Sequence, residues 1–473
     1  KILTKQYPGD PVIWNILGAS RSKIGMLDEA IDAYKKSISL KPNSAAAYNN
    51  IGFALRDQGK LEEAIDAYKK SIMLNPNDGD TYYNMGIALK EQGKLEEAID
   101  AYNKALLLKP DHAKAYNNMG VALKDQDKID QAVEAYNKAI TLKPDYAEAY
   151  NNLGIALKDQ DKIDQAMKAY KQAISLKPDY SKAYSNMGSV FVDQNKLNEA
   201  IELYEKAILH EPNDHDVYYN LGTSLHELGR LDEAETNLKQ AILWKPDFYE
   251  THKNLGFTLL GQGKLREGLD EMEWRWKIEE FIKFQRCFSQ PLWDGKESLK
   301  DKRILIWYEQ GIGDTLNWSS CLPLLSSCSK QVILECQEKL IPLLTRSFPD
   351  VEIKPADRSR DKERDDFDIH LPMGSLHRHF IQEFVQITNG NSFLIPDPER
   401  VKYWKERLNS IGKGPYIGIS WKSSVMSPER LPNYSSISEW SKILLTPDVT
   451  FINLQSKDFA DDLAKVRDEL GET

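Results

Sequence analysis

Cysteine is scarce in this chain. Four stand among 473 residues, Cys287, Cys321, Cys328 and Cys336, all in the second half and without a C-x-x-C pair. That spacing argues against a disulfide frame or a thiolate zinc site and predicts buried thiols in a reducing, cytoplasmic setting. Histidine is thin too: the eight present show no metal-ligand spacing, and the densest group, His377-Arg378-His379, reads as a loop. No apolar run approaches the ~18 residues that a membrane-spanning helix needs. Excess positive charge is missing. A formal net charge of −10 argues against a nucleic-acid partner.

What the first half has is a period. Proline recurs every 34 residues, at Pro8, Pro42, Pro76, Pro110, Pro144, Pro178, Pro212 and Pro246. A glycine follows ten residues after each, at Gly18, Gly52, Gly86, Gly120, Gly154, Gly188, Gly222 and Gly256. Between two prolines the pattern is helix, turn, helix. In Asn77 to Pro110 the first helix carries Tyr82, Met85 and Gly86, and the second carries Leu95, Ala98, Ile99, Tyr102 and Ala105 at helical spacing. Ala64, Ala98, Ala132, Ala166, Ala200 and Ala234 hold a small position in phase, with Tyr34, Tyr68, Tyr102, Tyr136, Tyr170 and Tyr204 filling the space beside the glycines. Each proline ends a second helix, because it lacks an N–H and clashes with the preceding turn.

This order of aromatic, Leu-Gly, Ala, Tyr and Pro resembles the tetratricopeptide repeat over about residues 1–276, and implies an α solenoid. Measured against the period, residue 1 falls inside a second helix, so the chain is expected to begin within a repeat. At the other end Gly268 replaces the alanine and Met272 the tyrosine, and Glu273-Trp274-Arg275-Trp276 follows. A terminal unit adapts in this way to dock on something else.

A second set keeps the same phase. Asn50, Asn84, Asn118, Asn152, Asn186, Asn220 and Asn254 each stand two residues before a glycine. Arg56, Lys90, Lys124 and Lys158 follow further along, with Asp57, Glu91, Asp125, Asp159, Asp193 and Glu227 beside them. Asparagine is a mediocre helix former, so its use seven times mid-helix needs a reason. Three remain open: contacts between repeats, a merely solvated helix face, or a ladder of amides that meets the backbone of an extended peptide with both donor and acceptor. The resemblance favours the peptide, since first helices line the concave face of tetratricopeptide solenoids and such a ladder belongs to O-linked N-acetylglucosamine transferases.

After a junction at about 277–300, which includes Pro291-Leu292-Trp293-Asp294-Gly295, the period changes. Strands are predicted at 303–308, 331–336, 351–354, 367–371, 416–421 and 449–454. Helices are predicted up to Leu325, over 338–348, over 402–411 after the loop Pro396-Asp397-Pro398, and over 438–445. Such alternation indicates a parallel α/β sheet. The first strand leads into Gly311-x-Gly313-Asp314, at the rim where open sheets place ligands. It lacks the third glycine of a dinucleotide fingerprint and the Lys-Ser/Thr of a phosphate loop. Asp314 is there either as a functional carboxylate or as the cap of the next helix.

The stretch 306–324, with its Glu-Gln-Gly-Ile-Gly-Asp-Thr core and Pro323, is similar to the first loop of heptosyltransferase-like GT-B glycosyltransferases. The resemblance implies a Rossmann-like GT-B domain over 301–412 and the start of a nucleotide-sugar lobe over 413–473, incomplete at residue 473. It implies Asp314 as the base on an acceptor hydroxyl. It also implies donor contacts at Gly311, Gly313, Ser420, Lys422, Ser423, Arg430 and Gln455, with a nucleotide sugar as substrate and neither metal nor cofactor. The expectation is therefore a bacterial-type transferase whose solenoid presents a protein acceptor. The rival is a non-catalytic interaction scaffold. Self-association along the outer face of the solenoid is left open.

Overall fold

The computed structural model describes residues 2–309, 311–357, 364–381, 392–412, 414–419, 440–444, 446–447, 449–454 and 464. The chain divides into two compact units, Lys1–Phe281 and Ile282–Thr473.

The first unit is a stack of paired helices. The pairs run from Pro11–Lys23 with Leu27–Leu40 through Ala45–Asp57 with Leu61–Leu74, Gly79–Glu91 with Leu95–Leu108, and Ala113–Asp125 with Ile129–Leu142. They continue as Ala147–Asp159 with Ile163–Leu176, Ser181–Asp193 with Leu197–His210, His215–Glu227 with Leu231–Trp244, and Tyr249–Gly261 with the shorter Leu265–Met272. First helices of successive pairs also touch one another, which places them on the inner side of the stack's curve. Several begin on a carboxylate cap: Asp10 accepts from the Val12 N–H, and Asp214 from those of Asp216 and Val217. Acidic first turns in the second helices, such as Glu62 and Glu63, complement the helix dipole.

A glycine–tyrosine pair locks six of the eight repeats from within, and in the last two Gly222 meets Leu238 and Gly256 meets Met272. A Cβ built on Gly120 would stand 2.6 Å from the Tyr136 ring, and one on Gly154 2.6 Å from Tyr170. Those rings are fully buried, and the helices meet where a methyl group cannot fit. Gly120→Ala is expected to destabilise the stack by about 1–3 kcal/mol despite alanine's better helix propensity. Tyr136→Ala in the same chain should remove most of that penalty, which a double-mutant cycle in urea would read as coupling.

The turn inside each pair needs a left-handed residue. Gly25, Gly59, Gly93, Gly229 and Gly263 supply it with φ between 75° and 81°, but Asp127, Asp161 and Asn195 hold φ of 61°, 59° and 57°. Left-handed backbone is strained for an L residue, less so for Asp and Asn than for others. Replacing all three by glycine is expected to stabilise the chain by about 0.5–1 kcal/mol each, read as a higher thermal midpoint.

The second unit holds a four-stranded parallel sheet: β1 (Arg303–Trp307), β2 (Gln331–Cys336), β3 (Val351–Pro355) and β4 (Ile369–Pro372), in the order β3-β2-β1-β4. Ile304, Leu305 and Ile306 of the central strand are all fully buried, as parallel strands covered on both faces require. The junction joins this sheet, because His370 of β4 donates its N–H to the Pro291 carbonyl and accepts from the Trp293 N–H. A second, two-stranded parallel sheet pairs β5 (Tyr416–Ile419) with β6 (Thr450–Asn453).

Three expectations change. Pro396-Asp397-Pro398 is not wholly loop: Asp397 caps the helix Pro398–Ile411, accepting from the N–H groups of Glu399 and Arg400, with Pro398 at the first helical position. His377, Arg378 and His379 lie in the short helix Leu376–Phe380, and burial lowers the pKa of His377. Only Cys321 and Cys336 are buried, with burial pushing their thiols up to about 12 and about 11; Cys287 and Cys328 are exposed.

Candidate functional site

The in-phase asparagines sit half-buried on the first helices. Six of the seven amide nitrogens reach back into the preceding repeat. Asn50 donates to Asn15 Oδ1 at 3.2 Å, Asn84 to Asn49 Oδ1 at 3.1 Å, Asn152 to Asn117 Oδ1 at 3.0 Å and Asn186 to Asn151 Oδ1 at 2.9 Å. Asn118 and Asn254 donate instead to tyrosine hydroxyls, Tyr83 and Tyr219, each at 3.2 Å. Every one of these bonds spans 35 residues. The polar residue thus has a packing reason: it stitches each inner helix to the one before. Apart from Asn118, whose Oδ1 accepts from Asn117 Nδ2, the stitched amides keep their oxygen clear of protein donors among the described residues.

The charges beyond the asparagines divide. Arg56 binds Asp57 at 2.8 Å and lies over the Phe53 ring, while Lys158 bridges Asp193 at 2.8 Å and Ser189 at 2.6 Å. Asp57, Glu91, Asp125, Asp159, Asp193 and Glu227 are all exposed, so this face carries alternating charge rather than one sign.

At the carboxyl ends of β1 and β4 the strand order reverses, which is where an open sheet forms a crevice. The short helix Ile312–Trp318 starts there on Gly311. Asp314 accepts from the Gly311 N–H at 3.1 Å, so its carboxylate does cap its own helix, and its side chain is exposed. A Cβ on Gly313 would meet nothing within 4 Å. Glu309 accepts from the Gly374 N–H and so ties the β1 loop to the β4 loop. Ser420, Lys422, Ser423, Arg430 and Gln455 lie outside the described residues.

Sequence reasoning missed an ion cluster beside this sheet. Glu335 of β2, only 1% exposed, accepts from both Arg286 and Arg364. Arg364 and Lys354 in turn grip Asp366 at 2.8 and 2.9 Å, holding its carboxyl far below the usual range. Glu335, Lys354, Arg364 and Asp366 line an open cavity of about 640 Å³. These residues are scattered from 286 to 366, and no local spacing signals them.

Family comparison settles the first unit. The model described as TPR repeat matches residues 22–58 and 52–93, across the very helix pairs described above. The chain carries tetratricopeptide repeats. A second repeat model, that of the cilia and flagella-associated protein 70 C-terminal domain, matches residues 78–275 of the tetratricopeptide arm. Protein FlbA of Caulobacter vibrioides is 32% identical over 193 residues, a match spanning 38% of this chain but only 32% of FlbA. Among solved structures, MamA from Desulfovibrio magneticus is 27% identical, covering 36% of this chain and 95% of its own, with a TM-score of 0.33. YrrB, described as a TPR protein with an unusual peptide-binding site, is 22% identical, covering 38% and 93% at a TM-score of 0.34.

Two further features of the tetratricopeptide arm lie away from the stitched asparagines. A groove of about 690 Å³ opens between neighbouring second helices, lined by Ile99, Asn103, Tyr116, Met119 and Lys138 among others. Asp214, His215 and Asp216 bring ligand atoms within 4.8 Å of one another, but Asp214 is the cap of its helix. No helix among the described residues is long and apolar enough to cross a membrane.

Proposed function

We propose that the tetratricopeptide arm binds an extended segment of a partner protein along its asparagine-bearing face. One observation carries this reading: asparagines repeat in phase on the inner helices, half-exposed, with amide oxygens directed to no protein donor at most positions. Such oxygens accept backbone N–H groups whatever the peptide's sequence, while the stitches hold them at a fixed spacing. Peptides of about twelve residues, selected from a random phage-displayed library on the full chain, supply a probe that spans several repeats at ~3.3 Å per residue. Replacing Asn84, Asn152 and Asn186 by alanine should weaken their binding at least tenfold while circular dichroism stays helical. Undiminished affinity would remove the reading.

A second reading rests on the α/β unit. The reversed strand order and the exposed Asp314 carboxylate at its rim suit a sugar transfer in which Asp314 accepts the acceptor's hydroxyl proton. In a GT-B arrangement Ser420, Lys422 and Arg430 would balance charge on the leaving diphosphate. Calorimetric titration of UDP-, GDP- and ADP-sugars onto the full chain tests it, with Asp314→Asn expected to abolish transfer and retain donor binding. Turnover that survives Asp314→Asn would take Asp314 out of the reaction.

A further inference from the structure

One asparagine of the seven is unlike the rest. Asn220 occupies the same position on the helix His215–Glu227 and is half-buried like the others, yet its side-chain amide makes no hydrogen bond among the described residues. The cause lies 35 residues upstream. There the other stitches find Asn15, Asn49, Tyr83, Asn117, Asn151 or Tyr219, whereas Asn220 faces the place of Ser185. A serine hydroxyl sits on one carbon and ends short of where an amide or a phenol reaches. Ser185 makes no side-chain hydrogen bond among the described residues either.

We infer that Asn220 is the anchor point of the groove, the one ladder position whose whole amide is free to turn onto an extended peptide backbone and grip it with both ends. Its Nδ2 donates to a peptide carbonyl and its Oδ1 accepts the neighbouring peptide N–H, a two-point contact that fixes the register of the bound segment. At Asn50, Asn84, Asn152 and Asn186 one of the two amide N–H groups is spent on the stitch, which fixes the plane of the amide, and at Asn254 both are spent, on Tyr219 and Thr223. At Asn118 both ends are engaged. The neighbouring positions are polar too, Ser189 and Thr223 standing where earlier repeats hold Ile87, Val121 and Ile155, although their hydroxyls are already bonded to Lys158 and to Tyr219 and Asn254. This inference rests on the peptide-binding reading of the same face.

The test uses the phage-selected peptides of about twelve residues on the full chain. Asn220→Ala should weaken binding about tenfold, the worth of two net hydrogen bonds, with no change in thermal midpoint because no internal bond is lost. Asn84→Ala and Asn152→Ala should each weaken it about threefold and lower the midpoint, since each loses a stitch. Ser185→Asn installs the residue that sister repeats hold at Asn49, Asn117 and Asn151. It should raise the midpoint by completing the missing stitch and weaken peptide binding severalfold by spending one Asn220 N–H and fixing the plane of its amide. Equal affinity losses along the ladder, or a Ser185→Asn chain that binds as before, overturn the anchor while leaving the groove. Peptides indifferent to all seven asparagines overturn both.

Discussion

Replacing Glu335 by leucine is expected to destabilise the α/β unit by about 3–5 kcal/mol, the usual penalty for stripping a buried charge of its partner. Glu335 is the single carboxylate between Arg286 and Arg364, and Arg286 is itself only 7% exposed. Without it Arg364 keeps Asp366, but Arg286 loses the one ionic contact it has among the described residues. Among those residues Arg286 Nε and Nη2 have no hydrogen-bond partner. The Phe288 ring stays, 4.7 Å from the guanidinium carbon. Hydrogen exchange of the β1 amides Ile304 to Ile306 in the full chain reads the loss, as protection lower by roughly two to four orders of magnitude. A second replacement, Arg286→Met, should return most of it. A buried pair swapped whole for apolar groups is often neutral, whereas half a pair is not. Unchanged protection in Glu335→Leu would show that the cluster is incidental to stability.

Acid should loosen the same unit before it reaches the ordinary carboxylate range. His370 is 6% exposed, and burial, helped by the charge of Arg286, pushes its pKa down to about 4. Its Nδ1 accepts from the Trp307 indole at 3.2 Å, which needs that nitrogen unprotonated. An unfolded histidine titrates near 6.5. Between pH ~6.5 and ~4 the unfolded chain therefore binds a proton that the folded chain refuses, and stability falls as pH falls. At about 1.4 kcal/mol per pH unit the loss totals about 3 kcal/mol over that window. Asp368, held down to about 2 first by its bond to the Arg303 side chain, contributes its own loss only at lower pH, so the two effects separate. Exchange of β1 amides across pH 7 to 4 should trace this slope after correction for intrinsic rates, and His370→Phe should reduce it, with His370→Phe/His377→Phe removing the part that buried His377 adds. A slope undiminished in His370→Phe would place the titrating group elsewhere.

The arm was legible because its packing is local. Gly120 and Tyr136 lie sixteen positions apart in one helix pair, so a fixed spacing carries the whole contact. The strands were legible as apolar runs, and β2 falls on the expected residues. Their order was not, because nothing in the composition of β4 says that it returns to the far side of β1. Burial of thiols failed for a similar reason: Cys328 follows an apolar helix but sits at its exposed end. Asp397 was a missed cap, hidden between two prolines, one of which is a helix opener. The asparagines were seen as a set, but their bonds were not. The partner is asparagine at four positions and tyrosine at two, and a chemical role shared by two residue types leaves no single-letter period.

The placement of these contacts bears on how such an arm changes over generations. The lock between glycine and tyrosine closes within one repeat, and the stitch to the next recurs at one constant separation. A gene segment encoding 34 residues can therefore be duplicated or lost by unequal recombination, and the flanking repeats still meet across a familiar joint. Length becomes a heritable variable that leaves the core intact. Point changes inside a repeat must be matched in pairs, but the number of repeats, and with it the span of chain that the inner face can follow, is free to drift.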